Sequence, residues 1–368
     1  FLALDCSSPD VYVLPGIIDA HVHFREPGFT QKGDFTSESK AALAGGITTV
    51  FDMPNTFPVV NTYESFVDKL KIAKEKCLCN FKLFMSGENV NEVRKIMNDS
   101  STRGFLAGIK VYMSEGADLE NVISEEDLKE IPVVVHAEDK KCLDKYSAKF
   151  DSNVSSSHCE ARPLECALSG VKTACHLAKK HNRSIHIAHV TSGEEIEIIK
   201  KFPNVTFEVS PRHLFLRDEL YSSLGHFLKV NPPVRSLDVV SQLWDAVYDG
   251  LVDVIASDHS PHTIEEKNSV LPPSGMPEVQ TLLPLLLNEV AHEKLGLKDI
   301  VRMCCEKPAE IFGLKKVGKI ADGYRADIVI VDLSVVKKVE AASMFYKCGW
   351  AAYEGLVLKG WPQKVILG

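Results

Sequence analysis

Two histidines separated by a single residue end an apolar stretch near the start of the chain. His21 and His23 close the run at residues 16–23, and the two-residue period of a β-strand places both imidazoles on one face. Such a pair can chelate one metal ion, because imidazole is a usual zinc ligand. By itself, however, a His-x-His pair more often marks two ordinary polar positions than a metal site. The residues at the other strand ends must therefore distinguish the two.

Four more potential ligands end other apolar runs. They are Lys110, His136, His189 and Asp258. Taken singly, a strand-end histidine is more often a satisfied core residue, and a strand lysine more often extends its amine towards solvent. Five such sites are far less expected to meet by chance at one end of a fold. The set therefore predicts a metal centre.

Eight short β-branched runs supply the elements that would bring these residues together. They cover residues 16–23, 48–53, 81–85, 108–113, 132–137, 184–190, 205–209 and 252–257. Stretches between them, such as 63–76 and 167–180, carry apolar residues at helical spacing. This alternation predicts an α/β chain folded as a (β/α)₈ barrel, whose active site belongs at the C-terminal ends of the strands. An open doubly wound sheet is the alternative, and the polar strand ends favour the barrel.

The alternation of strand-like and helix-like segments ends near residue 311. We predict a barrel over 14–311 and a small β appendage from 1–13 and 312–368, because turn residues precede an apolar strand within 318–332. No internal repeat or low-complexity linker is evident.

Composition narrows the class of protein. The chain has 368 residues, of which 45% are hydrophobic and 25% charged, as is usual for globular proteins. A net charge of −8 disfavours a nucleic-acid partner. No apolar run approaches the roughly 18 residues of a membrane span, and the first residues do not resemble a secretory signal. We therefore expect a cytoplasmic protein whose ten cysteines are free buried thiols.

Three motifs resemble dihydroorotases of the amidohydrolase superfamily. They are Asp-Ala-His-Val-His-Phe-Arg-Glu-Pro-Gly at 19–28, Asp-Met-Pro-Asn-Thr at 52–56 and Ser-Asp-His-Ser-Pro-His at 257–262. The resemblance extends from Leu14 to the Gly-x-x-Ala-Asp segment near Asp327. It implies cyclisation of N-carbamoyl-L-aspartate to L-dihydroorotate and the reverse hydrolysis. The family usually carries a longer β segment before Leu14, which implies that the appendage here is reduced or that its sequence is incomplete.

The resemblance also implies a ligand set for two zinc ions. His21, His23 and Asp258 would bind one ion, His136 and His189 the other, and an N-carboxylated Lys110 would bridge them. A carbamate offers two anionic oxygens, whereas a protonated amine offers none. Two metals would acidify a shared water and polarise the attacked carbonyl, with Asp258 as the general acid and base.

Five further residues are candidates for substrate binding. In the family, residues matching Arg25, Asn55 and His262 hold the substrate carboxylate, and an Arg fork suits that group. Loops containing Asn231 and Gly275 resemble segments that contact the pyrimidine ring. The structural alternatives are a surface arginine, a turn asparagine, a loop histidine and two rigid turns.

Two residues of the segment 208–213 have no settled role. Glu208 and His213 belong to a family motif that usually has a second histidine where this chain has Arg212. They are expected either to support the metal ligands or to bind an additional metal ion.

Three other functions stay open at this point. Hydantoinases and allantoinases share the metal residues but act on rings without the carboxylate, and a non-catalytic scaffold of the same fold would typically lack metal ligands. Aspartate transcarbamoylase is a candidate physical partner of the dihydroorotase that the motifs imply.

Overall fold

The structure is a computed structural model that describes residues 9–151 and 153–368. Its strands are β1 (Val11–Pro15), β2 (Ile17–Val22), β3 (Ile47–Asp52), β4 (Asn80–Ser86), β5 (Leu106–Tyr112), β6 (Val133–His136), β7 (Ile185–Ile187), β8 (Val205–Val209), β9 (Val254–Ile255), β10 (Ile328–Lys338) and β11 (Val357–Ile366). Its α-helices are α1 (Phe35–Ala44), α2 (Tyr63–Lys76), α3 (Val90–Asn98), α4 (Leu119–Ile123), α5 (Lys140–Ser147), α6 (His158–Ala161), α7 (Leu164–Lys180), α8 (Gly193–Ile199), α9 (Pro211–Phe215), α10 (Tyr221–Leu224), α11 (Leu237–Tyr248), α12 (Ile264–Lys267), α13 (Leu282–Ala291), α14 (Leu297–Val301) and α15 (Lys307–Ile311).

Strands β2 to β9 form one parallel sheet in chain order. The sheet nearly closes into a barrel, because Val22 bridges His259 and the His23 amide donates to the His259 carbonyl at 2.7 Å. The predicted (β/α)₈ barrel is thus confirmed. The run predicted at 252–257 contributes only the two-residue β9. Beyond it, the Ser257 amide donates to the Asp19 carboxylate instead of to a neighbouring strand.

The predicted helices agree with the structure. Helix α2 spans the predicted residues 63–76, and the prediction at 167–180 lies within α7. Side chains of Asp34 and Thr62 cap α1 and α2 by accepting hydrogen bonds from backbone amides in the first turn. These caps fix where each crossover helix begins.

One side chain from each of several strands fills the barrel interior. Ile18, Phe51, Phe84 and Val134 are fully buried and share a cluster with Phe312. The Phe312 ring packs edge-on against Phe51, with ring centroids 5.1 Å apart. Such layers make the barrel a packed core rather than a pore, so a ligand must bind at the mouth.

The appendage is a three-stranded antiparallel sheet in the order β1-β10-β11. Val11 pairs with Asp332 and Pro15 with Ile328, and β10 in turn pairs with β11. The predicted β appendage is therefore present, although residues 1–8 of its expected N-terminal part lie outside the described residues.

The expectation that every cysteine is a free thiol is wrong for one pair. Cys142 in the first turn of α5 and Cys166 in the first turn of α7 form a disulfide across 24 residues of sequence, with Cα atoms 5.3 Å apart. The two helix starts pack together, and nothing in the sequence spacing indicates that contact. Seven other described cysteines are free: Cys77, Cys79, Cys159, Cys175, Cys304, Cys305 and Cys348.

Within the described ranges, no helix has both the length and the apolar character needed to cross a membrane.

Candidate metal centre and substrate cavity

A cavity of about 310 Å³ opens at the C-terminal ends of the barrel strands. It is lined by all eleven residues that the sequence predicts for the site: His21, His23, Arg25, Asn55, Lys110, His136, His189, Asn231, Asp258, His262 and Gly275. A wider apolar groove of about 860 Å³ runs past Leu224 and Trp350. The smaller cavity is the candidate site because titratable side chains from several strands meet there.

His21, His23 and Asp258 form the tightest cluster in the cavity. One potential ligand atom of each lies within 4.8 Å of the others, and all three residues are buried. The Asp258 Oδ1 atom lies 3.3 Å from His21 Nε2 and 3.2 Å from His23 Nε2. Burial lowers the pKa of His23 to about 3, so its ring is neutral and can offer a lone pair.

Lys110, His136 and His189 lie beside this cluster. The Lys110 Nζ atom is 3.5 Å from His21 Nε2, and the His136 and His189 ring centroids are 4.5 Å apart. Burial also lowers the pKa of Lys110, to about 8, although Glu208 and Asp258 act in the opposite direction. The buried His189 Nδ1 has no hydrogen-bond partner among the described residues, as expected of a nitrogen awaiting a ligand.

Neighbouring acceptors fix the rings of three histidines. His21 Nδ1 contacts the Glu208 carboxylate, and His23 Nδ1 donates to the Asn55 side-chain oxygen at 2.6 Å. In both rings Nε2 is left with its lone pair facing Asp258. His136 is oriented the other way, because its Nε2 lies 2.7 Å from the Glu138 carboxylate. Acceptors behind a metal-binding histidine set its tautomer in this manner.

The backbone is strained at three of the predicted residues. Arg25, His189 and Asp258 have φ values of 70°, 39° and 47°, a region that residues with a side chain rarely occupy. Each of these residues follows a barrel strand, and the backbone there turns sharply towards the cavity. Such strain persists where the surrounding structure enforces it, and it is concentrated at functional sites.

The opposite wall of the cavity is cationic. Arg25 donates from Nε to the Pro261 carbonyl at 3.1 Å, and its Nη2 lies 3.1 Å from His262 Nε2. Arg25 is 7% exposed, and its guanidinium has no carboxylate ion-pair partner within residues 9–151 and 153–368. A buried cation without a counter-ion is costly, which indicates a place for an anionic ligand.

Asn231 and Gly275 lie at the edge of the same wall. The Ser274 hydroxyl donates to the Asn231 side-chain oxygen at 3.1 Å. Gly275 has φ of 142°, and a Cβ there would lie 2.4 Å from the Ser260 carbonyl oxygen. Only glycine allows this close approach. The fully buried Lys267 donates to the Gly275 carbonyl at 2.9 Å and so holds the loop.

Glu208 and His213 lie behind the cavity wall. Glu208 contacts His21 as above and lies 3.3 Å from His186 Nε2, which supports a metal ligand. His213 donates to the Pro232 carbonyl at 3.1 Å, and burial lowers its pKa to about 3. Neither residue lines the cavity.

Tyr112 and Glu138 are among the residues of the site that escaped the sequence analysis. Tyr112 lines the cavity, and its buried hydroxyl has no hydrogen-bond partner among the described residues. Glu138 contacts His136 and forms a salt bridge with Arg162. Both follow a predicted ligand by two positions, so the strand period that paired His21 with His23 was a usable signal for them.

Comparison with known proteins agrees with this geometry. Residues 12–368 match the amidohydrolase family. A dihydroorotase of Methanothermobacter thermautotrophicus is 34% identical over 97% of this chain and 83% of its own length. The multifunctional protein CAD of Squalus acanthias is 36% identical over 98% of this chain, a match that occupies 15% of that longer protein.

A solved structure shares the fold. An L-hydantoinase (dihydropyrimidinase) of Arthrobacter aurescens superimposes with a TM-score of 0.90 at 27% identity, over 97% of this chain and 84% of its own. Fold, strand-end ligands and the match over nearly the whole length lead to one conclusion. The chain belongs to the amidohydrolase family.

Proposed function

We propose that this chain is a dihydroorotase, which reversibly cyclises N-carbamoyl-L-aspartate to L-dihydroorotate in de novo pyrimidine biosynthesis. The observation that carries the proposal is the buried Arg25 guanidinium, which faces the cavity without a carboxylate partner among the described residues. The dihydroorotase of M. thermautotrophicus, similar over nearly the whole chain, supports the same activity.

The metal ligands fit a two-zinc centre. We assign His21, His23 and Asp258 to one ion and His136 and His189 to the other. The ring nitrogens left free by Glu208, Asn55 and Glu138 and the unpartnered His189 Nδ1 support this assignment. Bound zinc would supply Lewis-acid chemistry, polarising the carbonyl and acidifying the attacking water.

Lys110 would be the shared ligand after carboxylation. Its amine adds to CO₂ with loss of one proton, giving a carbamate with two anionic oxygens. Only the uncharged amine can react, and burial lowers the pKa of Lys110 to about 8. The uncharged fraction near neutral pH is therefore a minority, but far larger than that of an ordinary lysine.

Asp258 is the proposed general base and acid. In ring opening it takes a proton from the attacking water and passes it to the departing amide nitrogen; ring closure reverses both transfers. Burial alone would raise the pKa of Asp258, but Arg212 and His21 outweigh it and hold the pKa well below its usual range. The carboxylate is therefore ionised and ready to accept.

Arg25, Asn55 and His262 would bind the substrate carboxylate. The Asn55 side-chain oxygen already accepts from His23, so its amide nitrogen is the atom available to a ligand. Asn231 and Gly275 would contact the ring at the other edge of the cavity. These contacts would place the reacting carbonyl next to the metal ligands.

A hydantoinase-type activity is the second candidate, because the A. aurescens L-hydantoinase has the same fold. Its substrates and those of allantoinases lack the carboxylate that Arg25 would bind. We favour dihydroorotase because no described carboxylate forms an ion pair with that guanidinium. A non-catalytic scaffold is disfavoured, since every ligand position holds a competent side chain.

One experiment separates these candidates. Purified protein is assayed for hydrolysis of dihydroorotate, hydantoin and allantoin and for cyclisation of carbamoyl aspartate, and zinc is quantified on the same sample. We expect turnover of dihydroorotate and carbamoyl aspartate only, with about two zinc ions per chain. Hydantoin as the better substrate would favour the second candidate, and metal-free inactive protein would favour a scaffold.

We also propose a cytoplasmic enzyme that associates with aspartate transcarbamoylase. The match to one part of a multifunctional protein supports such an association. The proposed division into a barrel at 14–311 and an appendage from 1–13 and 312–368 is testable by limited proteolysis near residue 311.

A further inference from the structure

Cys77 and Cys79 form a pair of free thiols at the end of the barrel opposite the metal ligands. Cys77 follows the last residue of α2, and Cys79 immediately precedes β4. Their sulfur atoms lie 3.7 Å apart, which allows one thiol to donate a hydrogen bond to the other. Neither residue lines the cavity, so the proposed dihydroorotase activity leaves the pair without a role.

The path of the backbone allows the two sulfur atoms to bond. Cα atoms two residues apart are at most about 7 Å apart in an extended chain, and the bend at Leu78 and Cys79 shortens this distance. Disulfides usually join Cα atoms that are about 4.4–6.8 Å apart. Rotation of the side chains can therefore bring the sulfur atoms of Cys77 and Cys79 into bonding distance.

The two thiols differ in acidity. A hydrogen bond from the Cys79 thiol, aided by the Cys79 amide, lowers the pKa of Cys77, although burial acts in the opposite direction. The same contact and burial raise the pKa of Cys79 well above its usual range. The dipole at the C-terminal end of α2 disfavours an anion, so the Cys77 thiolate owes its stabilisation to Cys79. Cys77 is therefore the nucleophile of the pair.

The other free cysteines of the described residues lack this stabilisation. Burial raises the pKa of each of them, namely Cys159, Cys175, Cys304, Cys305 and Cys348. Cys159 is the best match to Cys77, because both are partly exposed, yet its pKa rises to about 11. Oxidation favours thiols that are both accessible and ionised, which distinguishes Cys77 from the others.

The pair is less suited to a zinc ion. Structural zinc sites have four ligands, and among the described residues no third histidine, cysteine or carboxylate ligand atom joins the two sulfur atoms in a cluster. A disulfide, by contrast, requires only the two sulfur atoms and a molecule that accepts two electrons.

We propose that Cys77 and Cys79 are a redox-active dithiol that reduces hydroperoxides and is itself converted to a disulfide. The Cys77 thiolate attacks one oxygen of the hydroperoxide. The O–O bond breaks, the sulfur becomes a sulfenic acid, and the released alkoxide takes up a proton to give the alcohol. The Cys79 sulfur then attacks the Cys77 sulfur, the S–O bond breaks, and hydroxide leaves as water with the Cys79 proton.

Peptide mass spectrometry tests the pair directly. Purified protein is treated with tert-butyl hydroperoxide, the remaining thiols are blocked with N-ethylmaleimide in urea, and the protein is digested with trypsin. Cleavage after Lys76 and Lys82 gives residues 77–82 as one peptide that contains both cysteines. We expect this peptide to lose the mass of two hydrogens and to take up no maleimide, and we expect dithiothreitol to reverse both changes.

The rate of this reaction is compared with the oxidation of Cys159. The pKa of Cys77 lies below that of an ordinary thiol, and that of Cys159 is about 11. Cys77 therefore has a thiolate fraction about a hundredfold larger, and the lower nucleophilicity of the more acidic thiol offsets about tenfold of this. We expect Cys77 to react about tenfold faster. A peptide 77–82 that stays reduced, or Cys159 reacting as fast, would overturn the inference.

Single variants separate the roles of the two thiols. In Cys79→Ser, no thiol resolves the sulfenic acid of Cys77, so it should accumulate and be trapped by dimedone. In Cys77→Ser, Cys79 should stay reduced and take up maleimide. The control Cys159→Ser should form the disulfide as the wild type does.

Two further outcomes would contradict the proposal. One is a dimedone adduct in the wild type as abundant as in Cys79→Ser, and the other is a disulfide between chains in place of one within residues 77–82. None of these measurements uses a substrate of the metal centre. Their results therefore hold whether or not the chain turns over dihydroorotate.

Discussion

Arg212 holds one oxygen of Asp258 while the other faces the histidines. Arg212 Nη1 lies 3.2 Å from Asp258 Oδ2, and Asp258 Oδ1 lies 3.2 Å from His23 Nε2. Arg212 also forms a salt bridge with the fully buried Glu278. The residue that departs from the usual family motif therefore orients the proposed general base and neutralises a buried acid.

Replacing Arg212 by methionine should strongly destabilise the fold. Glu278 would remain buried with the Tyr353 hydroxyl as a partner, and breaking a buried ion pair by removing one partner costs about 3–5 kcal/mol. The free energy of unfolding, measured by urea denaturation, checks this. The control Arg94→Met removes an exposed arginine that pairs with Glu125 and Asp127 and should change stability little. Equal losses in the two variants would contradict the expectation.

The fold was predictable because its signals are local. Buried parallel strands are continuous β-branched runs, and all eight were recognisable, as was α2 between the second and third barrel strands. Strand-end ligands were predictable for a related reason, since a parallel barrel brings the C-terminal ends of its strands together. Side-chain contacts between distant segments carried no such signal. The contact of Lys32 with His262 spans 230 positions, and no periodicity indicates it.

The disulfide is the clearest case of this limit. Cys142 and Cys166 meet because two helix starts pack together, and a separation of 24 residues is not typical of any pairing motif. The strand period, by contrast, contained information that was not used. Because side chains two positions apart on a strand share a face, Lys110 indicates Tyr112 as a site residue, and His136 indicates Glu138.

Loss of the Cys142–Cys166 disulfide should lower stability by about 3 kcal/mol, because the cross-link restricts the unfolded chain. The double variant Cys142→Ala, Cys166→Ala is compared with wild type by urea denaturation, with and without dithiothreitol. Reductant should lower wild-type stability towards that of the double variant and leave the variant unchanged. A wild type indifferent to reductant, with all its thiols titratable, would show that the bond does not form.

Lys110→Ala should lose both zinc and activity, because no other described group replaces the two oxygens of the proposed carbamate. Short-chain carboxylic acids are expected to restore part of each by supplying those oxygens. Metal content and turnover are measured together. The matched control is Lys82→Ala on β4, a lysine that donates to the Gly104 carbonyl at 2.9 Å and lies outside the cavity. Full activity in the Lys110 variant would rule out the bridging role.

Arg25→Lys keeps the charge but removes the two-pronged donor, so KM for dihydroorotate should rise and kcat/KM should fall about tenfold or more. Zinc content should not change, since Arg25 is not a proposed ligand. Arg103→Lys alters an exposed arginine and serves as the control. Unchanged kinetics in Arg25→Lys would remove the main support for a carboxylate-bearing substrate.

Asp258→Asn separates metal binding from proton transfer. The amide retains an oxygen that can ligate weakly, but it cannot carry the proton between the attacking water and the ring nitrogen. We therefore expect kcat to fall about 10²-fold or more in both directions, even in molecules that keep their zinc. Rates must be normalised to bound metal, because simple loss of zinc would lower them as well.

The control for this last variant is Asp253→Asn. Asp253 lies just before β9 and accepts a hydrogen bond from the Phe207 amide at 3.1 Å, outside the cavity. It should retain wild-type turnover per zinc. If Asp258→Asn held its metals and converted both substrates at the wild-type rate, another group would have to move the proton. His262 is then the next candidate, because its Nε2 lies at the cavity wall beside Arg25.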